Sequence, residues 1–243
     1  MASRWQLALT GAVAAVVTPI FGVPAINSTH VPQSLHFSLI SPAHAESEQF
    51  DARAALEQIP VKGRAPKTGF ARNQFGPQWS DIDRNGCDTR NDILKRDLTA
   101  IVFRERTKNC VVERGILQDP YSGQIIEFQR GEKTSALVQI DHVVALSNAW
   151  QTGIFQSTLK VRTNFANDPL NLLAVKGSLN SQKSDGDAAT WLPPNKAFRC
   201  EYVTRQIQVK AKYGLWVTKA EKEAMSRILQ SADCLQAQNS VSK

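Results

Sequence analysis

The spacing of apolar and polar positions changes several times along this chain. Residues 1–45 are mostly uncharged: WQLALTGAVAAVVTPIFGV is an apolar run, and Arg4 is the one charged residue before Glu46. Pro19, Gly22 and Pro24 interrupt the run before it comfortably spans a bilayer, and SPAHA ends at Ala45 in an A-x-A cleavage pattern. Residues 1–45 therefore read as an export signal, with Ala25 as an earlier candidate cut, and residues 46–58 as a short polar linker. No later stretch is apolar enough to cross a membrane.

Residues 59–79, IPVKGRAPKTGFARNQFGPQW, have no period and are rich in Gly, Pro and basic residues, which predicts an irregular segment pinned onto the domain. Ile93, Leu94 and Leu98 then recur at helical spacing and predict a helix from about Thr89. CVVERGILQD and QIIEFQRG flank the turn DPYSG, a β-hairpin over 110–131. ALVQIDHVVAL is extended, SNAWQTG and STLKVRTNFAND are helical or irregular, LNLLAV is a short apolar strand, and GSLNSQKSDGD is a short helix stopping near Gly186. The last part predicts two helices. KAFRCEYVTRQIQVKAKYG has Asn195 as cap and Gly214 as stop, and TKAE at 218–221 is a capping-box signature for a helix to about Cys234. The sum is one α+β domain over residues 59–238.

Composition adds two constraints. Beyond residue 45 there are 28 basic and 22 acidic residues, net +6, which favours polyanionic partners or anionic surfaces. The four cysteines, Cys87, Cys110, Cys200 and Cys234, form no C-x-x-C pair, which disfavours a zinc knuckle, and export favours disulfides over free thiols. An antiparallel helix pair would bring Cys200, near the start of the first helix, beside Cys234, near the end of the second. The expected bridges are therefore Cys200–Cys234 and Cys87–Cys110. Lys196, Arg199, Arg205, Lys210 and Lys212 could form a basic strip along those helices, or simply a solvated face.

Beyond residue 45 the chain holds a single histidine, His142, directly behind Asp141. Downstream, NLLAVKGSLNSQKSDGD places Asn171, then Asn180 nine residues later and Lys183 three further on. Each has a plainer role when taken alone: Asp141 pairing with a lysine, Asn171 capping a turn after Pro169, Asn180 and Lys183 on a solvated helix. Together, a strand ending in Asp-His, an excursion, a strand opening on Asn and a helix carrying a second Asn resemble the HNH nucleases, whose core is a ββα-metal finger. DHVVAL and the N-x8-N-x2-K spacing match the two halves of that motif. GCDTRNDIL, DPYSG, FANDPLNLLAV and WLPP are similar to a group of exported bacterial HNH-type proteins, so the resemblance covers most of the chain after about residue 56. Asn180 stands where the family's third letter is histidine, a variant the family accepts.

The resemblance implies a metal-dependent endonuclease whose helix pair and disulfides brace the finger, leaving 5′-phosphate and 3′-hydroxyl ends. His142 would be the general base, an imidazole with an ordinary pKa near ~6.5 being suited to take a proton from water. Asp141 and Asn180 would hold one divalent ion, Mg2+ first and Mn2+ as another candidate, since hard cations prefer oxygen donors. Asn171 would fix the loop carrying His142, and Arg90 and Lys183 would touch phosphate. The expected substrate is nucleic acid, DNA before RNA, with little sequence preference, and the expected location is outside the cell or on its envelope. A fold of this type that binds polyanions without cutting is the alternative.

Overall fold

The computed structural model describes residues 50–232, 234 and 235; residues 1–45, expected as an export signal and containing His30, His36 and His44, lie outside them. Residues 52–58, expected as linker, instead form helix α1 (Ala52–Gln58). The Asp51 side chain accepts from the N–H groups of Arg53 and Ala54, and Ala52 and Leu56 turn inward. So short a helix is marginal by itself and is held by packing, which a polar window of sequence does not reveal.

Helix α2 (Thr89–Asp97) starts at Asp88, whose carboxylate accepts from the Asn91 N–H. It stops one residue before Leu98, the position read above as its last apolar turn. Leu98 opens strand β1 (Leu98–Phe103), antiparallel to β2 (Val112–Gln118), which pairs in turn with β3 (Ile125–Gln129). The expected hairpin is thus two strands of a three-stranded sheet. Disulfide Cys87–Cys110 ties the loop before α2 to the β1–β2 connection.

A second, two-stranded sheet carries the centre of the molecule. Strand β4 (Val138–His142) runs antiparallel to β5 (Leu172–Lys176), with Asp141 opposite Leu173 and His142 opposite Leu172. Between them lie helices α3 (Leu146–Gln151) and α4 (Leu159–Asn167). Helix α5 (Gly177–Lys183) follows β5 with no intervening residue, completing a ββα unit. It begins so close to the segment before β4 that a Cβ at Gly177 would overlap the carbonyl oxygen of Ala136. Ser184, at φ 50, ends it.

Both faces of this small sheet are covered. Val138, Ile140, Leu172 and Ala174 pack with Ile93 and Leu94 of α2 and with the three-stranded sheet. Leu173 and Val175 pack on the other face with Leu179 of α5 and with helices α6 (Arg199–Lys212) and α7 (Lys219–Leu229). Helix α7 opens with a full capping box between Thr218 and Glu221. Asn195 does not cap: its side chain donates to the Pro120 carbonyl and the chain makes a single 3-10 turn, Lys196–Phe198, before α6. Disulfide Cys200–Cys234 joins the start of α6 to the chain beyond α7. The proposed basic strip breaks at Lys210, which is buried between the two helices and paired to Glu221 at 3.0 Å.

Residues 60–80 form a strap across this framework, irregular as expected for 59–79 apart from one 3-10 turn, Arg72–Phe75. Val61 makes a parallel bridge to Val217, Trp216 donates its indole N–H to the Gly63 carbonyl, and Trp150 donates to Thr68. Ion pairs Arg64–Asp187 and Lys67–Asp185, at 2.7 and 3.0 Å, fasten the strap to the turn after α5.

Candidate functional site

Side chains alternate along a strand, so neighbours Asp141 and His142 face opposite ways. Gln139 and Asp141 turn towards α5, where Gln139 accepts from Asn180 and Asp141 from Lys183, each at 2.9 Å. His142 turns away. Because β4 ends there, Asp141, His142 and Asn180 still line one cleft of about 900 Å³.

His142 is held from two sides. Its Nε2 lies 2.8 Å from the Ala166 carbonyl oxygen, and its ring is nearly parallel to that of Trp79, 12° apart with centroids at 6.0 Å. A carbonyl can only accept, so Nε2 carries the proton and Nδ1 keeps its lone pair in the neutral ring. Burial pushes the imidazole pKa down to about 4, against the opposing effects of the Ala166 hydrogen bond and the Asp141 charge. At neutral pH the ring is therefore an uncharged base.

Asn171 lies behind the site and is fully buried. Its Oδ1 accepts from the Val144 N–H at 2.8 Å, its Nδ2 donates to the Val144 carbonyl at 3.3 Å, and its own carbonyl accepts from Val143. All these bonds go to the two residues after His142. Asn171 touches backbone alone and holds the turn that carries the imidazole.

Lys183, expected to reach phosphate, is 1% exposed and points into the protein. Its ammonium donates to Asp141 Oδ1 and, at 2.8 Å, to the His142 carbonyl. Tyr121 donates its hydroxyl proton to the other Asp141 oxygen. Burial, and then the Asp141 charge, push the Tyr121 pKa well up, so it remains a donor. The lysine is a strut between α5 and the end of β4, the pairing that a helical lysine takes when a buried carboxylate faces it.

Arg90 does line the cleft, half-buried, together with Arg130, which nothing local in QRGEK marks. Arg130 donates to the Val112 carbonyl and to Asn91 Oδ1, both uncharged partners. Burial lowers the Arg90 pKa and the nearby Arg130 charge lowers it further, with Asp88 acting in the opposite sense. Two guanidiniums held side by side without a bonded carboxylate form a site for an anion. Arg72, from the strap, adds positive charge to the same cleft, where Lys67 sits paired to Asp185. Trp79, Tyr121 and Arg130, with Lys67 and Arg72, are site residues that the sequence did not single out.

The donors also suit a hard divalent ion. A carboxylate offers about four lone-pair sites, of which Lys183 and Tyr121 take two at Asp141. Mg2+ is usually held by one or two carboxylates, with water and phosphate completing its shell. Asp141 and Asn180, which line the same cleft, are the residues that could supply such oxygen donors. Among the described residues no three of His, Cys, Asp and Glu gather where they could hold an ion together.

The family model for the C-terminal domain of GmrSD restriction endonucleases matches residues 88–228. An uncharacterized secreted protein of Arthroderma benhamiae is 36% identical over 180 residues, covering 73% of this chain and 83% of that one. No solved structure matches the chain. The matched segment holds β4, β5, α5 and every HNH-type position named above; the chain belongs to the family of GmrSD restriction endonuclease C-terminal domains, of HNH nuclease type.

Proposed function

We propose that the chain is an exported, metal-dependent endonuclease that hydrolyses phosphodiester bonds in nucleic acid, DNA before RNA. The observation that carries this reading is the shared cleft: a neutral imidazole with a free Nδ1, a carboxylate and an amide on one side, and unneutralised guanidiniums beside them. His142 Nδ1 takes the proton of the attacking water. The positive charge that the ring then gains is stabilised through Nε2–H by the Ala166 carbonyl. Asn171 keeps the ring in place by fixing Val143 and Val144. Arg90 and Arg130 orient the phosphate and offset its charge. Asp141 and Asn180 are the residues that would hold the divalent ion, which supplies Lewis-acid stabilisation of the phosphate and the departing oxygen. The signal at residues 1–45, the two disulfides and a secreted relative support export.

The test is purified protein on supercoiled plasmid. Relaxation and linearisation are expected with added Mg2+, and loss with excess chelator or in His142→Ala. Full activity in either condition defeats the mechanism. A second reading, binding of polyanions without cutting, has one observation in its favour: the Lys183 ammonium already neutralises Asp141. Salt-sensitive DNA binding without cleavage under any divalent ion selects it.

A further inference from the structure

Beside the cation-lined cleft lies a second recess of about 280 Å³ with a different character. Arg72, Gln78, Trp79, His142 and Leu146 line both cavities, so the recess opens next to the imidazole itself. Its own walls are largely apolar, with Phe75 and Pro77 joining Trp79 and Leu146. Cations line the cleft while rings and aliphatic carbons line most of the recess. That division matches the two halves of a nucleotide, an anionic backbone and a flat base.

Three details show a formed recess. Trp79 has φ 57, the left-handed region that bulky residues rarely enter. The conformation is held by the Thr89 N–H donating to the Trp79 carbonyl and the Thr89 hydroxyl donating to the Ser80 carbonyl. Such outliers cluster where a side chain is needed in one place. At Gly76, φ is 77 and a Cβ would overlap the Thr163 hydroxyl, so the strap is seated directly on α4. Finally, Asn167 lines the recess at 1% exposure with its amide oxygen lacking any hydrogen-bond partner.

We infer that this recess receives one unpaired nucleobase next to the phosphate being cut, stacked on Trp79, so that the chain acts on single-stranded or locally opened nucleic acid in preference to intact duplex. The inference rests on reading the cleft as a nucleic-acid site. A base inside a duplex is already stacked and paired and must be extruded to reach the recess. An unpaired base needs no such step. Because every base has a flat face, stacking of this kind selects strandedness more than sequence.

The test measures binding in excess chelator, so that nothing depends on hydrolysis. A short single strand carrying 2-aminopurine at several positions, and the same strand in duplex, are titrated with the full chain. Wild type should quench the single-strand fluorescence on binding. Trp79→Ala should abolish the quenching and weaken single-strand binding by about 5- to 100-fold, with a much smaller effect on duplex binding, whereas Trp79→Phe should retain most of both. Equal losses on single strand and duplex, or absence of quenching by wild type, overturn the inference; the wild-type result stands whether or not Trp79→Ala folds. A chain that passes these tests but never cuts with divalent metal refutes the nuclease reading alone, and one that cuts plasmid without them refutes the stacking site alone.

Discussion

Replacing Lys183 by methionine separates two roles that a lysine in this motif can have. If the ammonium met phosphate from an exposed position, its removal would change stability by no more than about 0.5 kcal/mol and act on nucleic-acid affinity. In the structure the Lys183 and Asp141 side chains are 0% and 4% exposed, with Nζ and Oδ1 at 2.9 Å. Methionine preserves much of the buried stem but leaves the carboxylate with no opposing charge. Breaking a buried pair from one side costs about 3–5 kcal/mol. In a domain of this size that lowers the melting temperature by about 6–20 °C. Asp141→Asn removes the charge opposite the ammonium, leaving it only neutral acceptors, and should cost a similar amount. The double variant removes both charges together and should lose far less than the sum, giving a coupling of at least about 2 kcal/mol. Urea unfolding followed by tryptophan fluorescence measures all three variants. High salt should leave the coupling nearly unchanged, because the pair is shielded from solvent ions. A Lys183→Met loss below about 0.5 kcal/mol, or a double variant equal to the sum of the singles, would refute the strut.

Asn171→Ala leaves the buried N–H and carbonyl of Val144 without their side-chain partners, at about 1–3 kcal/mol for each unsatisfied group. Melting temperature should fall, and cleavage at saturating metal should fall with it while metal affinity by calorimetry stays; an unchanged melting temperature removes Asn171 from its positioning role. Burial pushes Asp187 up, but the Arg64 hydrogen bond and charge outweigh it and its pKa is lowered; the Lys67 hydrogen bond lowers Asp185 despite partial burial. With both folded values depressed, the strap's tethers contribute fully above the unfolded carboxylate range, near ~3.9, and are lost as pH falls through the depressed values. Indole fluorescence of Trp150 and Trp216 should report strap release on that acid limb, and Arg64→Ala should move it to higher pH; an unmoved limb refutes the assignment. The Cys87–Cys110 bridge closes a loop with sequence separation 23. Its removal in a Cys87→Ser, Cys110→Ser double variant should cost about 3 kcal/mol in calorimetry, and an unchanged transition would show that it adds nothing.

Much of the frame was legible because its signals are local. The Thr218–Glu221 box and Gly214 mark helix ends through bonds or angles within a few residues. Strand β5 stood out because a strand covered on both faces leaves an almost unbroken apolar run. What sequence misplaced depends on distant partners. Lys183 and Lys210 sit at helical positions that ordinarily face water, and only the arrival of Asp141 and Glu221 draws them inside. The Leu98 side chain counts equally well as a last helical turn or a first strand residue, and pairing with Leu117 decides between them. Arg130 becomes a site residue solely because Asn91 and Val112 aim it at the cleft. The Trp79 orientation follows from a backbone conformation that residue type disfavours.

The strap has a practical consequence for anyone dissecting the molecule. The matched family segment begins at residue 88, downstream of Lys67, Arg72 and Trp79. A fragment trimmed to that boundary would retain the imidazole, the carboxylate and both asparagines, yet have one bank of its channel stripped away. Such a truncation would keep those side chains and lose the Trp79 ring beside the imidazole and the Cys87–Cys110 bridge.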